Sequence, residues 1–329
     1  MNNKAGALSK YFSFNATQLK YALIVLMLVN HITYIFGFTN VFPNIIGTIT
    51  TIVVPCFLLL FIDGLELTHN RFKYFLRIWL IAMPMELIRC LANYNFIALR
   101  GDGFFPQNGV LANFIMLFFI CTGIDLIVDK KYLKGFGLIL IPVVWSILLT
   151  TIAINVPSTE VPLHFLHALI LPNYAWVLDC GGFIMVPTGI VFYLLRKHRT
   201  PQLIIGSVCF IIFNIFGNVA WSYVPGDIRR VPMTLLTALQ NYEYYIAALG
   251  ILAFFFYNGN KGNGRGRMFY YFYPQHIYLL YILSSFIYYG MHNDTNSLLS
   301  AITILFISLF SLFAYLIPNL YKKNNQLNI

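Results

Sequence analysis

Charge is what this chain has least of. Only 10% of its 329 residues are charged, and acidic residues number 11 against 21 basic ones. Hydrophobic residues make up 59% and aromatics 17%, with a mean hydropathy of +0.73. So few charges cannot solvate the surface of a water-soluble domain, which excludes that class. Cysteine is scarce as well. Cys56, Cys90, Cys121, Cys180 and Cys209 stand singly in or beside apolar runs, without the spacing of a metal centre, and read as small packing residues. No metal is expected. The first apolar run lacks a small-residue cleavage site, so no cleavable signal peptide is expected. No separate soluble domain and no internal repeat stand out, and residues 1–329 read as a single integral membrane domain.

What is present is a succession of apolar runs of about 20 residues, the length that crosses a bilayer as a helix. The fold class is all-α, a polytopic membrane protein of about ten transmembrane helices. The spans run roughly over 18–37, 45–67 and 74–99, a fourth from about 109 to the inner boundary at 125–134, a fifth ending near 155, then 174–195, 201–223, 233–257, a ninth within 259–281, and 298–321. All Lys and Arg except Arg89, Arg100, Arg229 and Arg230 fall in the N-terminus, in alternate loops or at the C-terminus. By the positive-inside rule this predicts both termini in the cytoplasm, N-in and C-in. The same distribution explains the net charge of +10 without nucleic acid. An apolar stretch near 163–171 is too short to span and is expected to be re-entrant or interfacial. His164 and His167 within it could bind a metal by their i, i+3 spacing but read better as interfacial polar residues.

Ionisable residues inside such helices are expensive against lipid, so their positions point to an interior site. The basic run from Gly259 to Arg267 leads into an aromatic helix holding Pro274 and His276. His276 lies roughly 12 Å past that run, well inside the bilayer. His31, Glu86, Arg89 and Glu243 fall at similar depth on three other spans. Two histidines beside two carboxylates can exchange protons near neutral pH, and a carboxylate can fix an imidazole's tautomer. His276 is expected to be the general base, because Pro274 opens the helix beside it. His31 is the alternative base, with Glu86 or Glu243 orienting. Asn30, Arg89, Asn113 and Asp179 are expected to bind substrate. Arg71, Lys73, Arg77, Arg265 and Arg267 form a second, basic group suited to phosphate, helped by the glycine-rich backbone of 259–266.

Tyr257 to His276 (Y-N-G-N-K-G followed by F-Y-Y-F-Y-P-Q-H) resembles the C-terminal block of the TraX family, integral membrane proteins of conjugal transfer systems and their relatives. Further similarity covers Asn30-His31, the Gly47–Arg77 stretch and Asp179-Cys-Gly-Gly. Asn30 stands where that family carries aspartate, and Thr48 where arginine is common. The resemblance implies a multi-pass protein of the bacterial inner or plasma membrane. It implies transfer of an acetyl group from acetyl-CoA to an amine or hydroxyl, such as a peptide or pilin N-terminus or a glycan. A distant similarity to the acyltransferase-3 proteins, which use a helix-1 histidine, implies the same chemistry. Expected partners are membrane lipids, the acyl-CoA donor and that acceptor. The other classes the residues leave open are a proton-coupled secondary transporter and a structural component of a secretion or conjugation system.

Overall fold

The computed structural model describes residues 6–8, 10–11, 13–107, 109–172, 181–223, 232–260, 262–263 and 266–309, without the side chains of Trp221 and 266–270. The described residues are helical, with one isolated bridge between Phe14 and Tyr257. In chain order the helices are α1 (Ala16–Ile35), α2 (Asn44–Thr50), α3 (Val53–Leu67), α4 (Arg71–Asn93), α5 (Val110–Val128) and α6 (Tyr132–Asn155). Then follow α7 (Glu160–Leu169), α8 (Phe183–Leu194), α9 (Arg199–Ser222), α10 (Leu235–Gln240), α11 (Tyr242–Leu252), α12 (Gly266–His292) and α13 (Thr295–Leu309). Five helical stretches among the described residues are long and apolar enough to cross a membrane: Ala16–Ile35, Asn44–Leu67, Val110–Val128, Tyr132–Asn155 and Arg199–Ala220. The molecule is a helical membrane protein. α4 carries Arg77, Glu86 and Arg89, which lowers its apolarity despite its length.

Helix starts follow local chemistry. Asn15 caps α1 in a reciprocal capping box with Gln18, and the Asn70 side chain accepts from Lys73 N at the start of α4. Asn95 and Asn293 follow α4 and α12 with φ of 59° and 52°, the left-handed turn that asparagine tolerates. α5 and α6 form a tight hairpin in which a Cβ on Gly123 would lie 2.8 Å from the Gly135 carbonyl oxygen. Only glycine allows that approach.

Two of the expected spans are discontinuous. The stretch 44–67 breaks at Thr51–Ile52, between α2 and α3. Pro55 explains the break: it has no N–H to give the Thr51 carbonyl four residues earlier, and its ring crowds that oxygen. The Thr50 and Thr51 hydroxyls donate instead to the carbonyls of Gly47 and Thr48, both at 2.7 Å. The stretch 233–257 breaks at Asn241, whose side chain accepts from Glu243 N at 3.1 Å and starts α11. The largest apolar core joins α3, α5, α8, α9 and α11 around residues such as Leu58, Ile62, Ile115, Leu117, Phe192 and Ile251. α1 packs between α2–α3 on one side and α12 on the other.

The segment expected to be re-entrant or interfacial forms α7, ten residues long and so about 15 Å, half a bilayer's hydrocarbon depth. The Trp79 and Trp145 indoles donate to the Ile170 and Leu171 carbonyls just beyond it, at 2.8 and 3.2 Å. In the loop beyond α4 Arg100 is buried. It donates to the Ile35 carbonyl at 2.8 Å, to Ser284 Oγ at 3.1 Å and to both Asp102 oxygens at 2.9 and 2.8 Å. Its guanidinium also lies over the Phe38 and Phe104 rings. This clasp ties the end of α1 to α12 and to the loop before α5.

Candidate functional site

A cavity of about 610 Å³ runs through the middle of the bundle, lined by α1, the α2–α3 break, α4, α5, α8, α9, α11 and Tyr273 of α12. The walls are mainly apolar, with polar groups at few points: Lys20, Asn30, His31, Thr50, Thr51, Gln107, Asn214 and Glu243. A concave apolar site with a few convergent polar groups is the usual form of a small-molecule site.

Asn30 and His31 are neighbours in α1 and therefore point about 100° apart around it. Asn30 turns to α2, where its Nδ2 donates to Thr50 Oγ1 at 2.7 Å. His31 turns to α12, where its Nδ1 lies 3.2 Å from His276 Nε2, the two rings meeting edge-on at 4.8 Å and 79°. Each imidazole is also tethered one turn back on its own helix: His31 Nδ1 to the Met27 carbonyl at 2.9 Å, His276 Nδ1 to the Phe272 carbonyl at 2.7 Å. The Phe272 ring stacks on His276 at 4.6 Å and 8°. His276 is buried behind His31 and does not line the cavity. The space that Pro274 was expected to open beside it is filled by these aromatic rings.

Glu243 lines the same cavity. Its carboxylate accepts from Thr48 Oγ1 at 3.2 Å, and it stands in the first turn of α11, where the helix dipole favours a negative group. The two discontinuous stretches are thus joined beside the cavity by the Thr48–Glu243 hydrogen bond.

The other expected site residues are distributed differently. Glu86 and Arg89 form a buried ion pair within α4 and are not among the residues that line the cavity. Asn113 is buried in α5, with its Nδ2 against Met185 Sδ at 3.3 Å, also off the cavity wall. Asp179 and Arg265 lie outside the described residues, as does the side chain of Arg267. Arg71 is drawn to Asp125 at 2.6 Å, sharing that carboxylate with Arg196 at 2.8 Å and with the Tyr193 hydroxyl at 2.6 Å. Lys73 and Arg77 are exposed on the first turns of α4.

Three lining residues, Lys20, Thr50 and Thr51, escaped the sequence reading. Lys20 reads as a flanking positive charge, yet it lies eleven residues before His31. That is three helical turns, so both share one face of α1 about 16 Å apart. This periodicity was the available signal. Thr50 and Thr51 become visible as cavity polar groups only once the helix breaks beside them. Searches of protein-family models, characterised proteins and solved structures returned no match to this chain.

Proposed function

We propose that the protein is a membrane-bound acyltransferase of the TraX type that moves acetyl from acetyl-CoA to an amine or hydroxyl. The observation that carries this reading is the paired histidines at the wall of a large, mainly apolar cavity, His31 with His276 behind it. Lys20, three turns away on the same face of α1, suits the phosphate-bearing end of a long donor whose thioester reaches His31. As the acceptor attacks the thioester carbonyl, its proton passes to the imidazole. The C–S bond then breaks, and the departing thiolate takes that proton to become CoA–SH, restoring the neutral histidine. Glu243 and Asn30 fit acceptor binding. The reading includes about ten spans with both termini in the cytoplasm of a bacterial-type cell and a peptide N-terminus or glycan as acceptor.

A test is CoA–SH release and label transfer from [acetyl-¹⁴C]acetyl-CoA by the purified protein in nanodiscs, offered an N-terminal alanine peptide and a soluble oligosaccharide. His31→Ala should lower turnover by at least about 10²-fold, the contribution of a positioned base. No transfer to either acceptor, together with no thermal shift on adding acetyl-CoA, would sink the reading. The two broken helices meeting at Thr48 and Glu243 favour a second reading, a proton-coupled transporter. Acidification-driven uptake of a small solute into proteoliposomes, lost in Glu243→Gln, would select it instead.

A further inference from the structure

The geometry points to a division of labour within the histidine pair: His31 Nε2 is the proton-accepting atom, and His276 is a positioning residue that, together with the Met27 carbonyl, keeps His31 Nδ1 protonated and so leaves Nε2 bare. The catalytic half of this statement rests on the acyl-transfer reading. The positioning half rests on hydrogen-bond donors and acceptors alone.

A backbone carbonyl only accepts. His276 Nδ1, 2.7 Å from the Phe272 oxygen, must therefore carry its proton, and in the neutral ring this leaves Nε2 as an acceptor. His31 Nδ1 faces two acceptors, the Met27 oxygen at 2.9 Å and His276 Nε2 at 3.2 Å. It too must carry its proton and divide it between them. Placing the proton on His31 Nε2 instead would set two lone pairs, on Nδ1 and the Met27 oxygen, against each other at 2.9 Å. The bare nitrogen of the pair is then His31 Nε2. His31 is also the member of the pair that lines the cavity.

His276 supports this arrangement in two ways. Its own ring is fixed from four sides, by the Phe272 carbonyl, the stacked Phe272 ring, and the edges of Tyr273 and His31. When His31 takes a proton and becomes imidazolium, its Nδ1–H bond to His276 Nε2 becomes charge-assisted and strengthens. The role matches that of the acid in a Ser-His-Asp triad, with a neutral imidazole in the acid's place.

The test is ¹⁵N NMR of histidine-labelled protein in nanodiscs at neutral pH, with His31→Asn used to assign the His31 signals by their loss. The wild type should show His31 with a protonated Nδ1 and a bare Nε2. His276→Ala removes one of the two acceptors and should shift His31 partly toward the Nε2–H tautomer. His276→Gln, whose side-chain oxygen can accept from Nδ1–H, should restore the original pattern. In transfer assays His276→Ala should lower kcat about 10- to 100-fold, with KM for acetyl-CoA unchanged, and His276→Gln should recover most of it. A bare Nδ1 on wild-type His31, or His31 signals unchanged in His276→Ala, would overturn the assignment. A pinned tautomer in a protein that transfers no acetyl group would uphold the positioning role and sink the acyl-transfer reading.

Discussion

Glu86 and Arg89 separate a structural ion pair from a reacting one. Both lie on α4 three residues apart, their side chains 3% and 7% exposed, and neither lines the cavity. Glu86→Gln takes a buried counter-charge from the Arg89 guanidinium, and Arg89→Met takes one from the Glu86 carboxylate. Breaking a buried pair in this way costs about 3–5 kcal/mol, two to three and a half decades in the folding equilibrium. Replacing both with apolar groups of similar volume removes the desolvation cost along with the attraction, so Glu86→Leu/Arg89→Met should return to within about 1 kcal/mol of wild type. The assay is reversible unfolding of the four proteins, read as a double-mutant cycle. Because the partners share one helix, the pair persists in any denatured state that keeps α4 helical. The coupling should therefore be several kcal/mol in guanidinium and fall below about 1 kcal/mol in dodecyl sulfate. Single losses that simply add up to the double loss would refute the argument. Acetyl transfer abolished in a well-folded double variant would place Glu86 back in the chemistry.

Further outcomes follow from other parts of the bundle. Burial by itself would raise the Asp102 carboxyl, but the Arg100 hydrogen bonds and the Phe104 N–H outweigh it and hold it below the usual carboxylate range. Its contribution is therefore present above an unfolded value near pH 4 and is lost as pH falls through the lower folded value. Acid melting curves should show Asp102→Asn less sensitive than wild type below about pH 4. Gly123→Ala should lower the melting temperature through about 1–3 kcal/mol of overpacking against Gly135 and Ile139. Gly137→Ala, on the facing helix with no atom within 4 Å of a new Cβ, should raise it by up to about 1 kcal/mol. Pro55→Ala restores a donor to the Thr51 carbonyl and should straighten α2–α3. Thermal stability should then rise while turnover falls, since Thr50 and Asn30 lose their places on the cavity wall.

Much of this was legible in the sequence because cost in an apolar solvent is local and readable. The apolar runs gave the helices, and His31, Glu243 and His276 stood out as polar groups those runs do not need. The Glu86–Arg89 pair was readable from its spacing. That it turns away from the cavity was not, because the facing of α4 depends on how α5 and α12 pack against it. His276 illustrates the same limit. Pro274 suggested free space beside it, but space is decided by the rings that fill it, and Phe272 on the same helix stacks there. Lys20 was hidden by a correct rule: its charge satisfies the positive-inside pattern, so nothing marked it as facing inward.

The two broken stretches admit both a carrier and a transferase, and the difference lies in what the breaks leave unsatisfied. A cation site built on an unwound helix uses carbonyl oxygens left without amide partners. Here the Gly47 and Thr48 carbonyls accept from the Thr50 and Thr51 hydroxyls, and Thr50 Oγ1 in turn accepts from Asn30. The Thr48 hydroxyl is given to Glu243. These bonds occupy the Gly47 and Thr48 carbonyls, which leaves the Thr51 carbonyl, four residues before Pro55, as the one the break frees. The histidine pair differs in kind. Both Nδ1 atoms are committed to carbonyls, and the donor count leaves one bare nitrogen at the cavity, which is the equipment of a base. Under the proposed acyl-transfer reading, a proton acceptor held in one tautomer beside a cavity of about 610 Å³ would take up a proton and return it once per turnover. Coupled transport would require that proton to cross from one side to the other. Among the described residues His276 Nδ1–H is given to the Phe272 carbonyl, so a transport reading would need a proton route that does not pass through this atom.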